Sequence, residues 1–189
     1  MKRGAGRLRI IGGEFRSRIV GFDASHGVRP TPDRVRQTLF DWISPAIAGA
    51  RCLDLFAGSG ALGLEALSRG AGHVTFVETG APQAAAIRAA LGSLGLAARA
   101  TVVQGDALAQ LAQLPERSFE FAFLDPPFDA ELLAPALERL PRVLAADPRV
   151  YAEWHRAGPL PWPPAYEVLR DKKAGQVSYG LATHTGTRA

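Results

Sequence analysis

A glycine loop and four spaced carboxylates supply residue types that chemistry can use. The stretch Asp54-Leu55-Phe56-Ala57-Gly58-Ser59-Gly60-Ala61-Leu62-Gly63 contains Gly-x-Gly-x-x-Gly, and Glu78 follows Gly58 by twenty residues. Between a strand and a helix, that spacing matches a dinucleotide fingerprint, whose glycines let the backbone approach a pyrophosphate. Asp54 argues for a different ligand. A carboxylate four residues before the first glycine faces the crevice where a pyrophosphate would sit, adding repulsion where a helix N-terminus should attract an anion. S-adenosylmethionine has no phosphate there, and its ammonium and sulfonium both favour a nearby carboxylate. The loop therefore reads as a nucleoside-methionine cradle, with Phe56, Ala57, Gly58 and Gly60 as contacts beside Asp54. Glu78, closing the second strand, would accept both ribose hydroxyls. Asp106, after the third, would accept from the adenine amine with Ala107 beside it, and it is equally a credible N-cap.

The second constellation is Asp125-Pro126-Pro127-Phe128. Two prolines fix φ and remove two N–H donors, so the segment can neither extend a strand ladder nor enter a helix interior. It leaves a carboxylate, open carbonyls and an aromatic ring at the mouth of the crevice. That suits a planar base with an exocyclic amine, whose conjugated lone pair makes it a poor nucleophile. Hydrogen bonds to Asp125 and the Pro126 carbonyl draw such an amine toward tetrahedral geometry, while Phe128 stacks on the base. Positioning then supplies much of the rate. Asp125 can also take the proton released after transfer.

These residues need a frame. Short apolar runs at Arg51–Leu55, His73–Val77, Ala100–Gln104, Phe119–Leu124 and Arg149–Trp154 alternate with helical patterns at Leu62–Ser68, Ala84–Leu94, Ala107–Leu114 and Leu132–Leu140. Such alternation builds a mostly parallel sheet covered on both faces, with ligands at the carboxyl ends of its strands. Tyr166–Arg170 and Gln176–Leu181, joined by Asp171–Gly175, read as an antiparallel hairpin at its edge. Ahead of the sheet, Leu8–Ile11 and Ser17–Val20 flank Gly12-Gly13 as a short ribbon. Thr31 is placed to cap a helix with Pro32 at its first position and an apolar stripe of Val35, Leu39, Trp42 and Ile43. The expected division is residues 1–48, a mobile basic arm and docked helix, and residues 49–189, the methyltransferase domain.

Charge is distributed unevenly over the 189 residues. The chain carries 22 Lys and Arg against 18 Asp and Glu, yet residues 1–36 alone hold nine basic and three acidic side chains. That basic segment suggests a polyanionic partner, with Arg7, Arg9, Arg16, Arg18, Arg29, Arg34 and Arg36 as the candidate RNA contacts. A hydrophobic fraction of 47% excludes global disorder. No apolar run reaches the length of a membrane span, Met1–Arg9 lacks the apolar core of a signal peptide, and one cysteine and four histidines predict neither a disulfide nor a metal site. The expectation is a cytoplasmic protein with no membrane partner.

Several blocks together resemble one family. Arg9-Ile10-Ile11-Gly12-Gly13, the run Arg29 to Arg36, Leu53 to Ala71, Val77-Glu78, Asp125 to Phe128 and Lys173 to Val177 are similar to the bacterial small-subunit ribosomal RNA guanine-N2 methyltransferases of the RsmD type. The glycine loop and tetrapeptide are shared with many amino-methyltransferases; Arg-Pro-Thr-x-Asp-Arg-Val-Arg is far more particular. The resemblance implies a Rossmann-like α/β fold with a seven-stranded sheet. It implies methyl transfer from S-adenosylmethionine to N2 of a guanine in 16S rRNA, on the small subunit or an assembly intermediate, by a monomer. Guanine also fits the chemistry, because its N1–H and N2–H form a donor pair that one carboxylate accepts, whereas adenine presents an acceptor at N1. An adenine-N6 methyltransferase is the alternative, and it leaves the Arg-Pro-Thr block unexplained.

Overall fold

A computed structural model describes residues 4–128, 131–159 and 161–187; Lys2 and Arg3 of the basic segment lie outside them. The chain runs β1 (Ala5–Arg9), β2 (Ile19–Asp23), α1 (Asp33–Ile43), β3 (Arg51–Asp54), α2 (Ala61–Ser68), β4 (His73–Glu78), α3 (Ala81–Leu94), β5 (Ala100–Gln104), α4 (Ala107–Leu111), β6 (Phe119–Leu124), α5 (Leu133–Arg139), β7 (Leu144–His155), β8 (Tyr166–Ala174) and β9 (Val177–His184). The nine strands and helices from β3 to β7 alternate, as the periodicity predicts. Seven strands form one sheet in the order β5-β4-β3-β6-β7-β9-β8, the first five parallel and β9 antiparallel to both neighbours. After β5 the chain returns to the other side of β3, so the strand order reverses between β3 and β6. That reversal opens a crevice above their carboxyl ends.

Two cores flank the sheet because side chains alternate along each strand. Phe121, Phe123, Tyr151 and Tyr179 point to the side covered by α1, α2 and α3, where Phe40 meets Phe123 at 6.0 Å between ring centroids. Leu53, Ala122, Leu124 and Ala152 point to the side covered by α4 and α5. The hairpin turns later than the charge cluster suggested. Asp171, Lys172 and Lys173 stay paired in β8, and the loop is Gly175-Gln176, with Gly175 at φ 59° supplying the backbone conformation a two-residue connection needs.

In the N-terminal segment the expected ribbon forms: β1 and β2 pair as a separate two-stranded sheet whose Leu8, Ile10, Val20 and Phe22 join the same core as α1 to α3, so the ribbon is docked on the body of the protein. What fastens it is Glu65, fully buried on α2. One carboxylate oxygen accepts from Ile11 N–H at 2.9 Å and the other from Gly12 N–H at 2.8 Å. Arg36 and Arg69 approach the same group at 3.3 and 2.9 Å. Ser68 completes the strap, donating to the Gly12 carbonyl and accepting from Phe15 N–H. Gly13 presses on the end of α2 so closely that a Cβ there would meet the Ser68 carbonyl oxygen at 1.9 Å, and its φ is 76°. The Arg-Ile-Ile-Gly-Gly block is thereby accounted for as a docking strap.

Candidate active site

Every acidic candidate from the sequence arrives at the reversal point. Asp54 ends β3, Glu78 ends β4, Asp106 follows β5 and Asp125 follows β6. All four line one cavity of about 710 Å³, together with Phe56, Ala57, Gly58, Ala107, Pro126, Pro127 and Phe128. Gly60 does not line it. Gly60 sits at φ 75° as the residue before α2, with a hypothetical Cβ only 3.1 Å from Ile87, so it turns the chain and lets α2 and α3 approach. Gly63 has a similar task, since a Cβ there would lie 2.2 Å from the Phe76 ring.

Asp54, Glu78 and Asp106 are oriented by backbone donors, and Asp125 by a side-chain hydroxyl. Asp54 Oδ2 accepts from Gly63 N–H at 2.9 Å, bracing the loop across its length. Burial lifts its carboxyl to about 7, with the charges of Asp125 and Glu78 adding to the rise and the Gly63 bond opposing it. Glu78 accepts from Gly58 and Gly80 N–H, both at 2.7 Å, leaving one lone pair on each oxygen for vicinal hydroxyls. Asp106 caps α4 through Oδ1, accepting from Ala109 N–H at 2.8 Å, so the capping reading holds for a residue that also lines the cavity. Asp125 is partly buried and accepts from the Thr31 hydroxyl at 3.2 Å; burial raises its carboxyl, and that hydrogen bond opposes the rise. Phe128 is 43% exposed at the rim, with the His155 ring edge-on at 6.2 Å.

Similarity to known proteins agrees with this architecture. A family model described as Conserved hypothetical protein 95 matches residues 8–183. "Ribosomal RNA small subunit methyltransferase D" of Escherichia coli (strain K12) is 44% identical over 181 residues, spanning 94% of this chain and 90% of that protein. The protein of the same description from Haemophilus influenzae is 38% identical over 180 residues, covering 93% of each. This chain belongs to the RsmD family. A solved structure described as a putative methyltransferase yhhF from Escherichia coli superposes with a TM-score of 0.83 at 40% identity, over 95% of this chain and 98% of that one.

Set beside this RsmD-family frame, the basic candidates divide. Arg7, Arg9, Arg16, Arg18, Arg29 and Arg34 are exposed, and Arg29 also lines the cavity. Arg36 is a correction: 1% exposed, it pairs with Asp33 at 2.7 Å and Glu65 at 3.3 Å and donates to the Thr31 and Arg9 carbonyls, so no phosphate can reach it. The apolar stripe of α1 includes Phe40, fully buried, while Trp42 sits at its margin against Tyr179. Arg36 lies four residues before Phe40 and next to Val35, the one signal that would have placed it inside. Thr31 is not the cap of α1; Pro32 occupies that position and the Thr31 hydroxyl turns to Asp125 instead. Gln83 is a further residue that sequence reasoning missed. Its amide nitrogen donates toward Asp23 and Ser25 of the N-terminal segment, while its buried Oε1, beside the cavity, has no partner among the described residues.

Proposed function

We propose that this protein transfers a methyl group from S-adenosylmethionine to the exocyclic N2 amine of a guanine in 16S rRNA, acting as a cytoplasmic monomer on the small subunit or an assembly intermediate. The observation that carries this reading is the shared cavity: the tetrapeptide Asp125–Phe128 opens into the space lined by Glu78 and Asp106. The family frame adds weight through its ribosomal RNA methyltransferase relatives.

The residues present fit the methyl donor. Its sulfonium supplies an electrophilic methyl group. Glu78 offers paired lone pairs to vicinal hydroxyls, Gln83 Oε1 is a buried acceptor in need of a donor, and Asp54 offers negative charge to an ammonium. Asp125 and the Pro126 carbonyl accept from the target amine, directing its lone pair into the cavity, and Asp125 takes the departing proton. Exposed Phe128 stacks on the base, which suits RNA bases splayed from a loop.

The test is incubation of the protein with labelled S-adenosylmethionine and small subunits from a strain lacking the enzyme, followed by nucleoside analysis. Label in N2-methylguanosine is expected. Label in N6-methyladenosine would replace guanine by adenine in the reading.

Three further outcomes follow from individual residues. Asp54 holds a proton in the folded state between its ordinary value of 3.8 and about 7, so its ionisation costs stability as pH rises through that window. Asp54→Asn should therefore melt higher than wild type at alkaline pH without cofactor, yet gain much less from added S-adenosylmethionine; equal ligand-induced shifts would remove Asp54 from cofactor binding. Phe128→Ala should slow transfer by about tenfold or more, the scale of a lost base–aromatic stack, while Phe128→Tyr stays near wild type. Similar losses in both would count against stacking. Replacing Arg7, Arg16 and Arg18 by Gln should flatten the salt dependence of RNA binding by roughly two to three counterions. A filter-binding titration with unchanged slope would show that these arginines do not meet phosphate.

A further inference from the structure

Only half of the sheet's carboxyl edge has a task in methyl transfer so far. The four cavity acids stand at the ends of β3, β4, β5 and β6, while β7, β9 and β8 continue the sheet on the far side of the tetrapeptide. Strand β7 is parallel to β6, and its last residue, His155, lies opposite Val177 of β9, which in turn lies opposite Ala174 of β8. The β8–β9 tip therefore stands at the same end of the sheet as Asp125–Phe128. Arg156 fastens it there, its N–H donating to the Gln176 carbonyl at 2.8 Å and its guanidinium to the Gly175 carbonyl at 3.2 Å. His155 meets Phe128 edge-on at 6.2 Å. Two strand spacings, about 10 Å, then separate His155 from the end of β8.

The hairpin face beside α1 is basic and carries an aromatic ring. Arg170 and Lys172 pair with Leu181 and Tyr179, both members of the core under α1, so the two cations share that face while Asp171 between them turns to the other. Lys172 Nζ lies 5.9 Å from the centroid of the Trp42 ring, and Trp42 stacks on Tyr179 at 5.7 Å. Arg34 and Thr38 precede Trp42 at intervals of four on α1, which brings the exposed Arg34 to the same side, nearer the cavity mouth. Arg156, Arg170 and Lys172 are exposed, and among the described residues no ion pair engages any of them.

We propose that this face, between α1 and the β8–β9 hairpin, is a second RNA-contact surface, which takes the phosphodiester backbone adjoining the methylated nucleotide through Arg170, Lys172 and Arg34. The proposal rests on the reading of Asp125–Phe128 as the site that receives the target base. Charge decides the direction in which the strand leaves that site. Over β3, β4 and β5 a phosphate would meet the acids that line the cavity, whereas over β7, β9 and β8 it meets cations held without carboxylate partners. The N-terminal arginines and the hairpin then hold RNA from opposite sides of Phe128, and Trp42 offers a sequence-tolerant apolar surface beside Lys172.

The experiment titrates wild type, Arg170→Gln/Lys172→Gln, Arg170→Glu/Lys172→Glu and Arg117→Gln with deproteinised 16S rRNA at several salt concentrations, and follows methyl transfer to small subunits, cofactor affinity and melting temperature on the same preparations. The Gln double variant should bind RNA about tenfold more weakly, with a salt slope shallower by roughly one to two counterions. Its KM for subunits should rise by a similar factor while kcat and cofactor affinity stay within about twofold of wild type. Charge reversal should weaken binding by about 100-fold. Arg117, exposed ahead of β6 at the opposite edge of the sheet, should change none of these when replaced. A wild-type slope and KM in the Gln double variant would overturn the proposal, as would an equal loss in Arg117→Gln, because charge would then act without regard to place. The catalytic reading fails separately. Wild type that puts no label into guanine removes that reaction, and the RNA titration, which needs no methyl transfer, still decides the surface.

Discussion

On the proposed reading, Asp125→Ala protein will fold, bind S-adenosylmethionine within a few-fold of wild type, and transfer methyl at least about 1000-fold more slowly, since it loses the group assigned to orient and deprotonate the amine. Its stability should hold or rise. Among the described residues Asp125 has no cationic partner, and its charge pushes two other acids, Asp54 and Glu153, toward protonation. Removing it relieves that repulsion. Loss of rate together with gain of stability is what a residue kept for chemistry should show. Single-turnover rates, a cofactor titration and a thermal melt on one preparation decide the matter. Parallel loss of rate and cofactor affinity would mean that Asp125 chiefly holds the cofactor.

The second large effect concerns stability. Glu65→Ala leaves the Arg36 guanidinium buried without its Glu65 partner and frees the Ile11 and Gly12 N–H groups. Breaking a buried pair from one side costs about 3–5 kcal/mol, which for a chain of this length lowers the melting temperature by about 10 °C. The double variant Glu65→Leu/Arg36→Met should recover part of the loss, because neither charge remains stranded. Thermal melts of both variants and of Arg36→Met alone test this. A Glu65→Ala melt within about 1 kcal/mol of wild type would mean that the strap is an ordinary surface contact.

What was legible in the sequence is what depends on short-range spacing. The glycine loop, the strand-ending acids and the tetrapeptide each sit within one strand-turn-helix unit, and the alternation of units dictates that their ends meet. What escaped depends on partners far along the chain. Arg36 looks like a surface arginine until Glu65, 29 residues later, is known to be buried beneath it. Glu65 itself offered a clue, since a lone acid in a helix otherwise made of Ala, Leu, Gly and Ser requires a buried counter-charge. Thr31 and Asp125 are 94 residues apart, and no local pattern links them. Strand β7 begins five residues earlier than its apolar run suggests, because Asp147 at φ 48° and Pro148 break the alternation without ending the strand.

The outermost strand has a consequence for how the protein behaves in a crowded solution. Among the described residues the outer edge of β8 has no neighbouring strand, and an open edge of that kind is a template for another chain to join. This one is poorly suited to templating. Glu167, Arg170, Asp171, Lys172 and Lys173 crowd charge onto nine residues, and the register slips between Val168 and Arg170, bending the strand away from a straight partner. Charge and bend together keep an apolar seven-stranded sheet from growing an eighth strand out of a neighbouring molecule, so its resistance to edge-to-edge aggregation is written into the hairpin that closes it.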